Sequence, residues 1–338
     1  MVKQINLALQ GGGAHGAFTW GVLDALLDCE EIEIAGISGT SAGALNGAAM
    51  KAGLATGGRA AAKENLAWLW ARVLGVRDFK IATWLSPFAP TTAAISKAIE
   101  HSSFYAMSDM VSQATSPYAL GPFYRNPLRP IVEDMRFNEI CSDAGPELHV
   151  CATNVRTGKI RLFNGEGITP DALLASACLP TVFQAVEIEG EAYWDGGYTG
   201  NPALFPLYED HLPDDVVIVN INPLLRENLP YTAHEIQNRI NEISFNSSLL
   251  RDLRAIRFVQ RLIERGAIPE GTMSYVRVHM IADDELMRNL SVATKIIPSA
   301  ILVERLFKAG RAAAQRFIDA DLGNVGERSS VDLSEMYD

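Results

Sequence analysis

The chain has 338 residues, 48% of them apolar and 20% charged, and carries a formal net charge of −11. Such a length and apolar content suit one large α/β domain or two ordinary ones. The negative balance argues against a nucleic-acid binder and against docking on anionic lipid by charge alone, while leaving contact through an apolar patch open.

Four cysteines, Cys29, Cys141, Cys151 and Cys178, lack C-x-x-C spacing and read as free thiols, not as a disulfide frame or zinc site. There is no run of 18 or more apolar residues and no charged-then-apolar leader, so the expected location is cytoplasmic, with peripheral contact at a membrane or lipid surface allowed.

Ile5-Asn6-Leu7-Ala8-Leu9 predicts a buried strand, and Phe18, Val22, Leu23, Leu26 and Leu27 predict a helix over 17–28. Between them lies Gly11-Gly12-Gly13-Ala14-His15-Gly16. Gly11, Gly13 and Gly16 match G-x-G-x-x-G, which permits a dinucleotide cradle, but the acidic residue such a cradle needs belongs at the end of the second strand and Glu33 starts it. The Gly-Lys-Ser/Thr ending of a nucleoside-phosphate loop is also missing. An oxyanion hole is the better reading, because consecutive glycines leave backbone N–H groups unobstructed.

A second strand, 32–37, runs into Gly39-Thr40-Ser41-Ala42-Gly43, and a small-residue helix follows over 42–55. G-x-S-x-G between strand and helix is the pattern of a nucleophile elbow. It would hold the Ser41 hydroxyl at a helix N-terminus, where developing negative charge is favoured. The helix between the two strands makes them parallel neighbours. Glycine loop and serine therefore open at the same sheet edge.

A helix is expected over 57–74. The stretch 78–130, with Trp84, Phe88, Phe104, Tyr105, Met107, Met110, Tyr118, Phe123 and Tyr124, reads equally as a lid or acyl groove and as an ordinary helical insertion. Further expectations are a short helix at 129–136, strands at 149–155 and 159–163, and a helix at 169–178 stopped by Pro180. A hairpin at 186–194 delivers Asp195-Gly196-Gly197, and 216–222 is a buried strand. A long helix over 233–265 carries an apolar stripe from Ile236, Ile240 and Ile243 through Leu250, Leu253, Ile256, Val259 and Leu262. A strand at 275–281, a helix at 299–319 and a loosely attached polar tail at 323–338 complete the chain.

A serine hydroxyl needs a base. On chain order His211 and His234 could follow Ser41 and Asp195 in a triad, but His211 lies in a charged loop and His234 starts a helix. The other route is direct proton transfer from Ser41 to Asp195. A carboxylate with an ordinary pKa of about 3.9 is a weak base for this unless it is desolvated.

Four motifs in order resemble those of the patatin-like acyl hydrolases and phospholipases: the glycine loop at 11–16, Gly39-Thr40-Ser41-Ala42-Gly43, Ala175-Ser176-Ala177-Cys178-Leu179-Pro180, and Asp195-Gly196-Gly197. The resemblance ties together residues from about 5 to 222. It implies a three-layer α/β/α fold with a central, mostly parallel sheet, to which the residue patterns add a helical insertion around 78–130 and a helical C-terminal part; the last third carries no motif that matches. It also implies a Ser41–Asp195 dyad, with Ser41 as nucleophile and Asp195 as proton acceptor. The oxyanion hole would be drawn from Gly11, Gly12, Gly13 and Ala14, and Gly16, Gly39, Gly43, Gly196 and Gly197 would support the motifs. No metal or cofactor is implied. One departure is His15, where the family often carries arginine or lysine; a neutral imidazole there makes a weaker contact to an anionic headgroup.

The expected organisation is a catalytic core over 1–222 with the insertion at 78–130, an extension over 223–322 packed on the core, and the tail 323–338. The expected activity is serine acyl-ester hydrolysis of lipid-like substrates. A Ser-His-Asp esterase of the α/β-hydrolase type, a nucleotide-binding oxidoreductase and a non-catalytic lipid-binding relative are the alternatives.

Overall fold

A computed structural model describes residues 2–75, 91–92, 94–95, 98, 116–227, 229–231, 233–269 and 271–336. Trp84, Phe88, Phe104, Tyr105, Met107 and Met110, and with them most of the expected insertion, lie outside the described residues.

Among the described residues eight strands form one sheet: β1 (Lys3–Leu9), β2 (Ile32–Thr40), β3 (Glu147–Asn154), β4 (Ile160–Asn164), β5 (Val186–Ile188), β6 (Glu191–Asp195), β7 (Asp215–Asn220) and β8 (Arg277–Ala282). Their order is β5-β6-β3-β2-β1-β7-β8, with β4 also on β3. The run β3-β2-β1-β7-β8 is parallel throughout, and β4, β5 and β6 are antiparallel additions at one end. The parallel strands are buried on both faces, which is why they read as near-continuous apolar runs.

Among the described residues the helices are α1 (Gly16–Asp28), α2 (Ala42–Val73), α3 (Arg129–Glu133), α4 (Phe137–Ile140), α5 (Pro170–Ser176), α6 (Ala233–Glu264), α7 (Asp284–Arg288), α8 (Val292–Ile296) and α9 (Ala300–Ala320). None of the described helices is long and apolar enough to cross a membrane. The break expected between two helices after residue 55 is a kink inside α2 at Gly57 and Gly58. The chain closes the sheet's central layer between helices. On one side α9 crosses α1 so closely that a Cβ on Gly21 would fall on the Phe307 carbonyl and one on Gly310 would fall on that of Phe18. Leu302, Val303, Leu306, Ala314 and Phe317 of α9 join Ile5, Leu7, Leu9, Phe18, Leu23 and Leu26 in the main core.

Two expectations are corrected. The first half of α6 is rolled relative to its apolar stripe: Ile236, Ile240 and Ile243 are exposed, whereas Glu242, Phe245, Asn246, Ser248 and Leu249 face inward. Polar contacts fix that roll. Glu242 is held by Arg226 (2.5 Å) and Arg239 (3.2 Å), and Asn246 Nδ2 donates to the carbonyls of Asn222 and Pro223. Buried polar groups must find partners, and this demand outweighs the burial of three isoleucines.

The C-terminal tail is not loose as far as residue 336. Ser330 N–H donates to the Val278 carbonyl, Val278 N–H donates to Ser329 Oγ, and Leu333 is buried. Strand β8 ends the sheet, and the tail covers its open edge. Asp215 beneath it takes hydrogen bonds from Gly326 N–H (2.9 Å) and from the buried His279 ring (3.0 Å).

The α1–α9 crossing tolerates no side chain on its glycines. Gly310→Val should cost ~1–3 kcal/mol or more by overpacking, whereas Gly323→Val, with open space around its α-carbon, should stay near wild type. Urea unfolding of the two variants tests the difference.

Candidate active site

Strand β2 runs through Thr40 and the chain turns at once into α2. Ser41 is the turn. Its φ of 53° and ψ of −121° lie in a region that non-glycine residues seldom occupy. Gly43 makes the sharp turn possible, because a Cβ there would sit on the Leu9 carbonyl. Ser41 N–H donates to Ser176 Oγ at 2.8 Å, and Ser41 C=O accepts from Leu45 N–H at 3.0 Å, beginning α2. The hydroxyl thus stands at the N-terminus of that helix.

Sheet register brings Asp195 to the same point. Strand β4 lies along one edge of β3, where Leu162 and Arg161 pair with Cys151 and Ala152. On the other edge β2 pairs up to Thr40↔Cys151, and β6 takes over at Asp195↔Ala152. The end of β6 therefore abuts the end of β2. Asp195 is anchored by N–H donation to the Cys178 carbonyl (2.8 Å), and its own carbonyl accepts from Thr153 Oγ1 (2.8 Å). Its Oδ1 accepts Gly197 N–H at 2.8 Å, and its carboxylate is within hydrogen-bonding reach of the Ser41 hydroxyl. It is 2% exposed. Burial pushes its carboxyl up to about 7, against the lowering effect of the Gly197 and Ser41 hydrogen bonds.

The segment Ala175–Pro180 braces both residues: Ser176 Oγ takes the N–H of Ser41 and the Cys178 carbonyl takes that of Asp195. The sequence shows the motif but not this use of it. Asn201 and Gln10 carry no signal in sequence. Asn201 Oδ1 accepts Gly11 N–H at 2.7 Å, and Gln10 Oε1 accepts the N–H groups of Ile221 and Asn222.

That bond corrects one expectation. Gly11, expected among the oxyanion donors, spends its N–H on Asn201 and does not line the cavity. Gly12, Gly13 and Ala14 do line it, together with Ser41 and Asp195. Gly13 has a φ of 57°, and a side chain there would run into the Lys295 carbonyl. Gly16 packs against Ala42, Gly39 against Ala44, Gly196 against the Cys151 carbonyl and Gly197 against Phe245, so each of these glycines allows a close approach.

The cavity is about 530 Å³. Its walls are apolar: Leu45, Leu69, Trp70, Val73, Leu179, Val182, Phe183 and Phe245. Pro127 and Leu128, from the described end of the expected insertion, and Ile131 beyond it complete one side. Tyr118 and Tyr124 hold that end in place, their hydroxyls accepting from Ala185 and Gln184 N–H. Among the described residues two basic side chains belong to the lining. Arg72 is paired with Asp134, and Lys295 Nζ donates to Asn222 Oδ1 at 2.7 Å. Burial pushes the Lys295 ammonium down to about 8, Glu242 opposing the shift and Arg226 adding to it.

Among the described residues no histidine lines the cavity. His211 bonds Glu147 at 2.5 Å, and Glu147 begins β3 opposite Gly36, four residues before Thr40 and so on the order of 13 Å away along the strand. His234 starts α6, and its side chain is outside the described residues. His15 is buried with Nε2 2.8 Å from Thr294 Oγ1; burial, then the charges of Lys295 and Arg226, hold it well below the usual imidazole range. Glu33 bonds Gln4 at the far end of the sheet from the glycine loop, so no acid waits there for a ribose. Cys151 and Cys178 are pushed up to about 12 by burial and stay protonated. Among the described residues no cluster of His, Cys, Asp and Glu could hold a metal ion.

The family model of patatin-like phospholipases matches residues 7–208. Among solved structures the chain is similar to VipD from Legionella pneumophila, at 13% identity and a TM-score of 0.45, over 95% of this chain and 67% of that one. It is also similar to the heterodimeric ExoU–SpcU complex of the type III secretion system of Pseudomonas aeruginosa, at 16% identity and a TM-score of 0.30, over 93% of this chain and 52% of that one. No curated protein matches it.

Ser176→Ala strips the acceptor from a buried N–H and should lower stability by ~1–3 kcal/mol in denaturant unfolding. Asp195→Asn should do the reverse at neutral pH. A carboxyl raised from 3.8 to about 7 binds more protons folded than unfolded, so wild-type stability falls as pH rises through that window. The melting temperature of Asp195→Asn should overtake that of wild type between those pH values and hold a constant lead above them.

Proposed function

The chain belongs to the patatin-like phospholipase family, and from that premise we propose that it is a serine acyl-ester hydrolase of lipid-like substrates. The observation that carries this reading is a desolvated carboxylate within reach of a serine hydroxyl, both lining a mostly apolar cavity. An aspartate raised to about 7 is a far better proton acceptor near neutrality than one near 4.

In the proposed reaction Ser41 Oγ attacks the ester carbonyl carbon while its proton passes to Asp195. The N–H groups of Gly12, Gly13 and Ala14, with the N-terminus of α2, hold the oxyanion. Collapse of the tetrahedral intermediate breaks the carbon–alkoxy bond, and Asp195 returns the proton to the departing alcohol. Water then attacks the acyl-enzyme, giving a proton to Asp195, and the fatty acid leaves as Ser41 is reprotonated. The apolar walls suit one acyl chain.

Contact with a lipid surface is part of the proposal. Phe245 and Asn241 of α6 line the cavity, and the same helix exposes Ile236, Ile240 and Ile243 at helical spacing. Leu225, Leu229 and Tyr231, in the segment leading into α6, are exposed as well.

A fluorophosphonate should leave a single adduct on Ser41, absent in Ser41→Ala and formed roughly 10²–10⁴ times more slowly in Asp195→Asn. Because Asp195 must be ionised to accept the proton, kcat/KM should climb about tenfold per pH unit below its pKa of about 7 and level off above it. Labelling at an unchanged rate in Asp195→Asn, or on another serine, would sink the dyad.

A further inference from the structure

Helix α6 turns one continuous face to solvent. Ile236, Ile240 and Ile243 lie on it in the first half of the helix, and the exposed Ser247 follows in register. At the same spacing come Arg251, Arg254, Phe258, Arg261 and Arg265, all of them exposed. Steps of three and four residues keep side chains on one side of a helix. Arg265 N–H still donates to the Arg261 carbonyl, so the last turn reaches one residue past Glu264. The face is therefore roughly 44 Å long at the rise of an α-helix. The opposite side is buried, at Phe245, Leu249, Leu253, Ile256 and Gln260.

This outer face changes character along its length. Its first half is apolar and adjoins the cavity, which Asn241 and Phe245 of the same helix line. Its second half carries four guanidinium groups and one phenyl ring, with the Arg261 guanidinium 6.0 Å from the Phe258 ring centroid. The four carboxylates of α6 all lie off this face. Glu242 is turned inward to Arg226 and Arg239, and Asp252 accepts Leu204 N–H. Glu264 is engaged by Arg257 and Tyr275, and Glu235 accepts Tyr231 N–H. A chain with a formal net charge of −11 thus carries a cationic strip that continues its apolar one. Charges farther away than about 10 Å are largely screened at 0.1 M ionic strength, so a surface docked on α6 meets the local charge and not the net one.

A partner for this face must offer an apolar phase and negative charge side by side over the length of the helix. A lipid layer containing anionic lipid offers both, and helices that lie in such layers bind through buried apolar area and attraction to anionic lipid together. We propose that α6 docks the protein lengthwise on an anionic lipid surface, its isoleucine half entering the apolar layer beside the cavity and its arginine half resting on the headgroups. The charge recognised is that of the surface, not that of the molecule hydrolysed. This rests on the lipid-surface contact of the proposed function, but its test requires no turnover.

Flotation of the full chain at low ionic strength with vesicles of diether phosphatidylcholine, alone or mixed in equal parts with diether phosphatidylglycerol or with sulfatide, tests it. Wild type should bind either anionic mixture about tenfold or more tighter than the zwitterionic vesicles, and added salt should erase the difference. Arg251→Gln, Arg254→Gln, Arg261→Gln and Arg265→Gln together should remove the preference and leave zwitterionic binding unchanged, whereas lysine at the same four positions should keep it. Ile236→Ser, Ile240→Ser and Ile243→Ser together should weaken binding to every vesicle.

No anionic preference in wild type, or an undiminished one in the glutamine variant, would overturn the proposal. A preference for phosphatidylglycerol that sulfatide does not reproduce would replace surface charge with recognition of one headgroup. A dimer in sedimentation that the glutamine variant splits, without any vesicle preference, would give the face to a second copy of the chain. If the hydrolase reading alone is wrong, Ser41 fails to take the fluorophosphonate while the arginine-dependent preference persists.

Discussion

Ser41 sits at a φ of 53°, a conformation that costs a non-glycine residue of order 1–3 kcal/mol and persists only where its surroundings over-determine it. Much of the molecule's centre can be read as that over-determination. Gly43 lets the first turn of α2 press against the end of β1, and Ser176 Oγ captures the serine N–H. Thr40, one residue before, donates its hydroxyl to the Gly200 carbonyl. Asn201 then reaches from that loop to hold Gly11. The turn after Asp195, the elbow and the glycine loop are thus bonded to each other and not merely adjacent. A shift in one would break hydrogen bonds in the other two.

The same packing sets the electrostatics. Asp195 is drawn into the interior by its backbone contacts to Cys178 and Thr153, and its carboxyl has no choice but to be desolvated. The resulting rise to about 7 destabilises the ionised folded protein. Lys295 is displaced the other way by the same burial. A buried carboxyl and a part-buried lysine therefore belong to the lining of a mostly apolar cavity. This is where a polar reaction on an apolar molecule can be accommodated.

The periodic apolar runs identify β1, β2, β3, β7, α1 and α9 in sequence to within a few residues, because buried parallel strands and core helices are written in consecutive or regularly spaced apolar side chains. Three of the four motifs were legible for a related reason: a tight turn needs glycine, and glycine stands out; Ala175–Pro180 has none and is marked instead by the proline that stops its helix. The roll of α6 was not legible. Its isoleucines form a regular stripe, but Glu242 and Asn246 on another face find partners only in the folded core, and a periodicity count does not see partners. The docking of the tail was hidden in the same way, since Ser329 and Ser330 look like any polar tail until β8 offers them an open edge.

By itself, then, the sequence indicated the strands and the main helices, the parallel pairing of β1 with β2, and a glycine loop, a G-x-S-x-G turn and an Asp-Gly-Gly turn, since these follow from local spacing and backbone freedom; α7 and α8 left no such signal. Tertiary structure decided what no local pattern encodes. It gave Gly11 to Asn201 and left Gly12, Gly13 and Ala14 on the cavity, brought Asp195 to the elbow through the shared edge of β3, raised its pKa by burial, and carried Lys295 from 254 positions further along the chain than Ser41 to the same cavity. Each of these depends on which surfaces exclude water together, and that is fixed only when distant segments pack.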